Sequence, residues 1–203
     1  MKVSAICIGN AEKLPGKSFK TGINKQPVSS AVLVDTEGLL GDAVCNRKYH
    51  GGPDQAILLE GSLTLDWWAQ QLGRDLPPGT FGENLVIDGL DNRDVAAGDR
   101  FHVGEVVLEA SCARSPCNTF AVKMGDPTFV KTYFRGGRPG IYCRVIETGA
   151  VSVGDPVSHE LYGGDRVSIA EMLAAVGKTL TDAEKARFLA APIGSRWRLT
   201  FKS

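Results

Sequence analysis

The sequence predicts a mainly β fold with a small helical unit at its C-terminal end, on three observations. Short segments of alternating apolar and polar residues recur through residues 1–162. Glycine is abundant, at 24 of 203 residues, and three Gly-Asp pairs (Gly41-Asp42, Gly98-Asp99, Gly154-Asp155) stand where strands would begin. Paired helix-start signals occur only in residues 163–203.

Val3-Ile8 opens the chain as a strand. It has one lysine before it, a short apolar stretch and no cleavage-site pattern, so it is read as a strand rather than a signal peptide. Ala31-Asp35, Ala56-Glu60 and Leu85-Ile87 follow as further strands. Between the last two, Ser62 is the expected N-cap of a helix with Trp67, Trp68 and Leu72 as its apolar stripe and Gly73 as its stop. Val106-Cys112 alternates most sharply: Val106, Leu108, Ala110 and Cys112 on one face, Val107, Glu109 and Ser111 on the other. A helical stretch is expected around Phe129-Phe134, and Ile141-Glu147 and Val157-Leu161 complete the β body. After Gly163-Gly164, the capping boxes Ser168-Ile169-Ala170-Glu171 and Thr181-Asp182-Ala183-Glu184 open two helices, which end near Gly177 and before Pro192. This hairpin, residues 163–203, is too small to fold alone. It is expected to pack on the β body or on a partner subunit, with Trp197 in the run Ser195-Arg196-Trp197-Arg198 as an anchor.

Lys plus Arg equals Asp plus Glu at 23 each, which weighs against nucleic acid as a partner. No apolar run approaches the ~18 residues of a membrane span. The five cysteines include no C-x-x-C pair, so no disulfide framework is expected and a reducing cytoplasm fits best. Cys7, Cys112 and Cys143 are read as buried strand thiols, and Cys45, in a polar loop, is left undecided.

Cys117 differs. In Ala113-Arg114-Ser115-Pro116-Cys117 the strand alternation stops at a proline, which presents the thiol on a loop, and Arg114 supplies a cation for a thiolate or an anion. That makes Cys117 a candidate metal ligand, nucleophile or sulfur carrier. His50-Gly51-Gly52-Pro53-Asp54-Gln55-Ala56 has two readings: an anion-binding backbone, or a plain glycine turn with His50 satisfied by a carbonyl, the second being favoured on local sequence alone. Phe81-Gly82-Glu83-Asn84-Leu85 places an acceptor and an amide at a strand end, for a heterocyclic ligand or merely for a turn. His102 and His159 stand alone, and no histidine or cysteine pair has zinc spacing.

Taken in order, these motifs resemble the MOSC domain, the C-terminal domain family of molybdenum cofactor sulfurase, and in particular its small stand-alone bacterial branch, the YiiM-like proteins. The matching segments also include Asp66-Trp67-Trp68, Gly79-Thr80, Gly98-Asp99-Arg100-Phe101 and Gly140-Ile141-Tyr142-Cys143-Arg144-Val145. The resemblance implies a mostly antiparallel β-barrel with the motifs at one mouth. It implies a molybdenum cofactor (molybdopterin) whose metal is ligated by Cys117. It further implies that Arg114 and the glycines after His50 (Gly51, Gly52) hold the phosphate end, while Asn84 hydrogen-bonds the pterin. The implied reaction reduces small N-hydroxylated compounds such as hydroxylaminopurines, with electrons from a separate flavin or iron–sulfur protein. The alternatives are a sulfur or cofactor carrier using a Cys117 persulfide, and a binding module without turnover. Two departures bear on substrate choice: Glu60-Gly61-Ser62-Leu63-Thr64-Leu65 where the family usually has tyrosines, and Asn118 where a bulky residue often follows the cysteine. The sequence leaves a homo-oligomer open.

Overall fold

The computed structural model describes residues 1–202. Seven strands come first: β1 (Lys2–Gly9), β2 (Glu12–Lys13), β3 (Lys20–Thr21), β4 (Lys25–Val28), β5 (Val32–Asp35), β6 (Gly38–Leu39) and β7 (Ile57–Gly61). Helix α1 (Ser62–Leu72) leads to β8 (Leu85–Asp88), after which β9 (Arg100–Val103) and β10 (Val106–Ala113) pair as a hairpin. Helices α2 (Asn118–Met124) and α3 (Phe129–Gly136) precede β11 (Ile141–Glu147), β12 (Gly149–Val151) and β13 (Val157–Glu160). The chain ends in α4 (Ile169–Ala175), α5 (Asp182–Ala190) and α6 (Ser195–Lys202).

Eight strands form one sheet in the order β13-β9-β10-β11-β7-β8-β1-β4. All neighbours are antiparallel except β7 and β8, which α1 joins as a crossover. The closed barrel is not seen: β13 and β4 are the margins, and among the described residues no ladder joins them. β1, one strand in from the margin, meets the residues ahead of β13 only at a corner. There Val3 N–H donates to Asp155 O and Val157 N–H to Met1 O, both at 2.9 Å. The residue bridged to Lys2 is Pro156, which has no N–H to carry a ladder onward.

Cys112 and its alternate neighbours are buried as expected, but Val107 and Ser111 are buried too. The second face of β10 is not left to water. Helix α4 packs on β10, and Gly194 N–H donates to Ser111 O at 2.9 Å. Both capping boxes form, with Ser168 and Thr181 as N-caps. They open α4 and α5 as expected, and α6 adds a third helix to the expected hairpin. Ile169, Met172, Phe188, Trp197 and Phe201 belong to the same apolar cluster as the sheet residues. At α1 the cap position is Gly61 rather than Ser62, whose hydroxyl accepts from Gly89 N–H at 2.9 Å. Gly73 closes that helix in the left-handed conformation (φ 61°).

Candidate functional site around Cys117

Strand β10 ends at Ala113, and the chain turns through Arg114-Ser115-Pro116 so that Cys117 takes the N-cap position of α2. The thiol is half-buried against the core. Burial opposes its ionisation. The His50 side chain, the Phe120 N–H in the first turn of α2 and the Arg114 charge outweigh that and bring it down to about 7. The other strand thiols go the opposite way. Burial raises Cys7 to about 12 and Cys112 to about 11, and it raises Cys143 as well. Cys45 is exposed. Against Cys7, Cys112 and Cys143, Cys117 is the one whose thiolate is favoured near neutral pH.

His50 therefore does more than fill a turn: a segment 67 residues before the thiol delivers its hydrogen-bonding partner. Gly51 (φ 72°) and Gly52 (φ 79°) follow it, both left-handed, and a Cβ on Gly51 would lie 2.7 Å from Val44 Cγ1. The next two residues anchor the C-terminal helices. Asp54 accepts from Ser195 N–H at 2.7 Å and from Arg144 Nε at 2.6 Å. Gln55 accepts from Arg196 Nη1 at 3.0 Å. Gly51, Gly52, Gln55, Cys112, Ser195 and Arg196 line an open cleft of about 150 Å³. Beside it, Tyr142 lies within electrostatic reach of Cys112, Cys117, Arg114 and Arg196, and burial raises its hydroxyl to about 12.

Two expected contacts are corrected by the packing. Asn84 is buried and its amide is committed within the fold: Oδ1 accepts from Leu58 N–H at 3.1 Å, while Nδ2 donates to Asp42 at 2.9 Å and Cys7 O at 3.4 Å. No N–H of that amide is left for a pterin. Arg114 is only 5% exposed, with its guanidinium carbon 3.4 Å from the Phe120 ring centroid and Nη1 buried without a partner. It acts as a fixed charge behind the thiol, not as a fork presented to a phosphate. Sequence reasoning named Tyr142, Arg196 and Glu60 only within longer segments and gave none of them a place of its own at the site. Glu60 was marked as part of a departure from the family pattern, and its burial was not foreseen.

A metal at Cys117 would find that thiolate with the His50 side chain bonded to it. Among the described residues, no group of three or more His, Cys, Asp or Glu side chains is arranged to hold an ion. A single soft ligand beside a glycine turn and basic side chains suits an anionic organic cofactor that brings the rest of the coordination with it. On that chemistry the residues fit a molybdenum cofactor.

The fold and site together define a mainly β-sheet protein with one activated cysteine at the start of a helix. The family model of the MOSC domain matches residues 46–158. The chain belongs to the MOSC domain family. It is 33% identical to the protein YflK of Bacillus subtilis (strain 168), across 92% of this chain and 85% of that one. A protein of Gibberella moniliformis named "Reductase" is 32% identical over 70% of this chain, which spans only 26% of that longer protein. The crystal structure of YiiM from Geobacillus stearothermophilus superimposes with a TM-score of 0.82 at 27% identity, covering 99% of this chain and 97% of that one. No helix among the described residues is long and apolar enough to cross a membrane.

Proposed function

We propose that this MOSC protein is a molybdenum-cofactor oxidoreductase that reduces N-hydroxylated compounds, with Cys117 as the protein's metal ligand. The observation that carries the reading is the state of that one thiol: half-buried, hydrogen-bonded by His50 and in no group of three metal-binding side chains among the described residues, and lowered to about 7 while Cys7 and Cys112 are raised. A thiolate available at neutral pH is the form that binds a soft metal. The reductase name of the fungal relative points the same way.

When bound, the cofactor supplies the two-electron chemistry, in which the substrate N–O bond takes up two electrons and two protons and the oxygen leaves as water. The chain's residues hold and shield that centre. Cys117 offers sulfur, His50 hydrogen-bonds it, and Arg114 keeps it anionic from behind. Gly51 and Gly52 let backbone approach the ligand where a side chain would intrude. Electrons come from a separate flavin or iron–sulfur protein.

The test is purification from a host that makes the cofactor. Wild type should carry molybdenum and Cys117→Ser should lose nearly all of it, because a hydroxyl stays protonated and is a harder ligand. The loaded wild type, given an artificial donor, should reduce hydroxylaminopurines. Equal molybdenum in both proteins would remove Cys117 from the metal. A persulfide on Cys117, seen as one added sulfur by mass spectrometry, together with no reduction, would make the protein a sulfur carrier instead.

A further inference from the structure

With Arg114 buried, the cleft beside Cys117 needs another cation if it takes an anionic ligand, and the C-terminal helix supplies one. Arg196 is half-buried at the cleft wall. Nη1 donates to Gln55 Oε1 at 3.0 Å and Nη2 to Arg47 O at 3.1 Å. Both partners are neutral, so they orient the guanidinium without cancelling its charge. Among the described residues no carboxylate oxygen lies within 4.0 Å of it. Asp54, the one acid in the cleft wall, is already held by Arg144 and by Ser195 N–H. Those two contacts also mean that the start of α6 is capped by the protein itself, so the side chain of Arg196 is what remains available.

Size narrows the ligand. Sites that enclose a whole small molecule run to roughly 300–1,000 Å³, and this cleft has about 150 Å³. It fits one end of a ligand, and the end a planar cation with spare donors recognises is a phosphate or similar oxyanion. The cleft joins Arg196 to Gly51 and Gly52, which directly follow the His50 that hydrogen-bonds Cys117. A ligand tied to sulfur at Cys117 and extending along those glycines would bring its far end to Arg196.

We propose that Arg196 is the residue that binds the phosphate end of the cofactor, so that the C-terminal helices complete the site instead of merely covering the sheet. This rests on the cofactor reading above. The competing role for Arg196 is a brace that fixes the loop from Arg47 to Gln55.

The experiment compares wild type, Arg196→Met and Arg196→Lys, all full-length. The pterin released per chain is quantified after purification from a cofactor-producing host. On cofactor-free protein, the thermal midpoint is followed with inorganic phosphate titrated in as the probe. Arg196→Met should retain roughly tenfold less pterin, equivalent to about 1.4 kcal/mol, and Arg196→Lys should lie in between. Phosphate should raise the wild-type midpoint and leave that of Arg196→Met unchanged. Equal pterin in wild type and Arg196→Met overturns the proposal. So do equal losses in both variants accompanied by a fall in the midpoint without phosphate, which is what a brace predicts. If wild type carries neither pterin nor molybdenum, the cofactor reading has failed, and the phosphate titration alone decides Arg196. An equal response in wild type and Arg196→Met then overturns it.

Discussion

Cys117 was legible in the sequence because Pro116 ends the strand pattern and Arg114 stands three residues before the thiol. Its chemistry was only half legible. The histidine that bonds it comes from another part of the chain, and the arginine beside it faces inward under Phe120, which no local pattern reveals. Asn84 was misread for a similar reason: its three partners come from Leu58, Asp42 and Cys7, all distant in sequence. The electrostatics give a direct test on cofactor-free protein. Alkylation of Cys117 by iodoacetamide should rise with pH about a midpoint near 7, two units below an ordinary thiol at 9.0. His50→Ala removes a hydrogen bond to the thiolate, so the midpoint should climb and the rate at pH 7 should fall roughly fivefold. Mass spectrometry of the Cys117 peptide reads both. A midpoint unmoved by His50→Ala would mean that Arg114 and the α2 amide set the thiolate alone.

Elements with an apolar run or a capping box were found even when short, as β5, β8 and α4 show, and most of those without such a signal were not. β4 contains Pro27, a residue that argues against a strand, and it survives because β4 is the margin of the sheet and needs one hydrogen-bonded side only. β9 has only two apolar residues, interleaved with Arg100 and His102, and α2 starts behind Cys117 with no side-chain cap to announce it. α6 was read as a tail because its docking depends on Asp54, which the sequence placed in a different motif. That docking predicts an acid sensitivity. Burial opposes the Asp54 carboxylate, but Ser195 and Arg144 more than offset it and hold its pKa below the usual 3.8. A depressed carboxylate stabilises the fold above its unfolded pKa and ceases to do so as pH falls through the folded value. Asp54→Asn should therefore weaken the attachment of α6 by about 1–3 kcal/mol at neutral pH, and the wild type should show the same weakening below pH 3.8. Hydrogen exchange should then speed up in residues 182–202 ahead of the sheet. Uniform loss of protection across the whole chain would instead mean that these helices and the sheet unfold as one unit.

Across the whole molecule, the alternation of apolar residues was enough to foresee a β body with helices at one end. It could not decide whether the sheet closes, since closure depends on which margins meet, nor foresee the charges sealed inside. Glu60 and Glu83 are fully buried and Arg114 nearly so. Glu60 Oε2 accepts from Asn92 at 2.5 Å while Oε1 has no partner, and a Cβ on Gly140 would come within 2.5 Å of it. Trp68 stacks on Tyr133 with ring centroids 5.4 Å apart, and Phe81, Phe120 and Phe129 close the same aromatic cluster. Burial above all, then the charge of Glu83, raise Glu60 to about 8 against the help of Asn92 and Arg114. The folded chain thus keeps a proton that the unfolded chain releases near 4.5. Stability from this group is complete below pH 4.5 and is lost as pH rises toward 8. Lys123, lowered by burial from 10.5 to about 8, acts only above that range and with the opposite sign, because there the unfolded chain holds the extra proton. Cys117, lowered from 9.0 to about 7, likewise adds stability as pH rises above 7, so the interval from pH 5 to 7 isolates the buried acids. In cofactor-free protein the thermal midpoint should fall across it, and Glu60→Gln should flatten the fall. At pH 8 the variant should melt roughly 5 °C above wild type, on a scale of about 2–4 °C per kcal/mol for a chain of this size. Parallel slopes for the two proteins would mean that Glu60 ionises at an ordinary pH and that Arg114 pairs with it despite the orphaned atoms. In that case the Arg114 charge would be directed at Glu60, and the lowering of Cys117 would rest on His50 and the α2 amide.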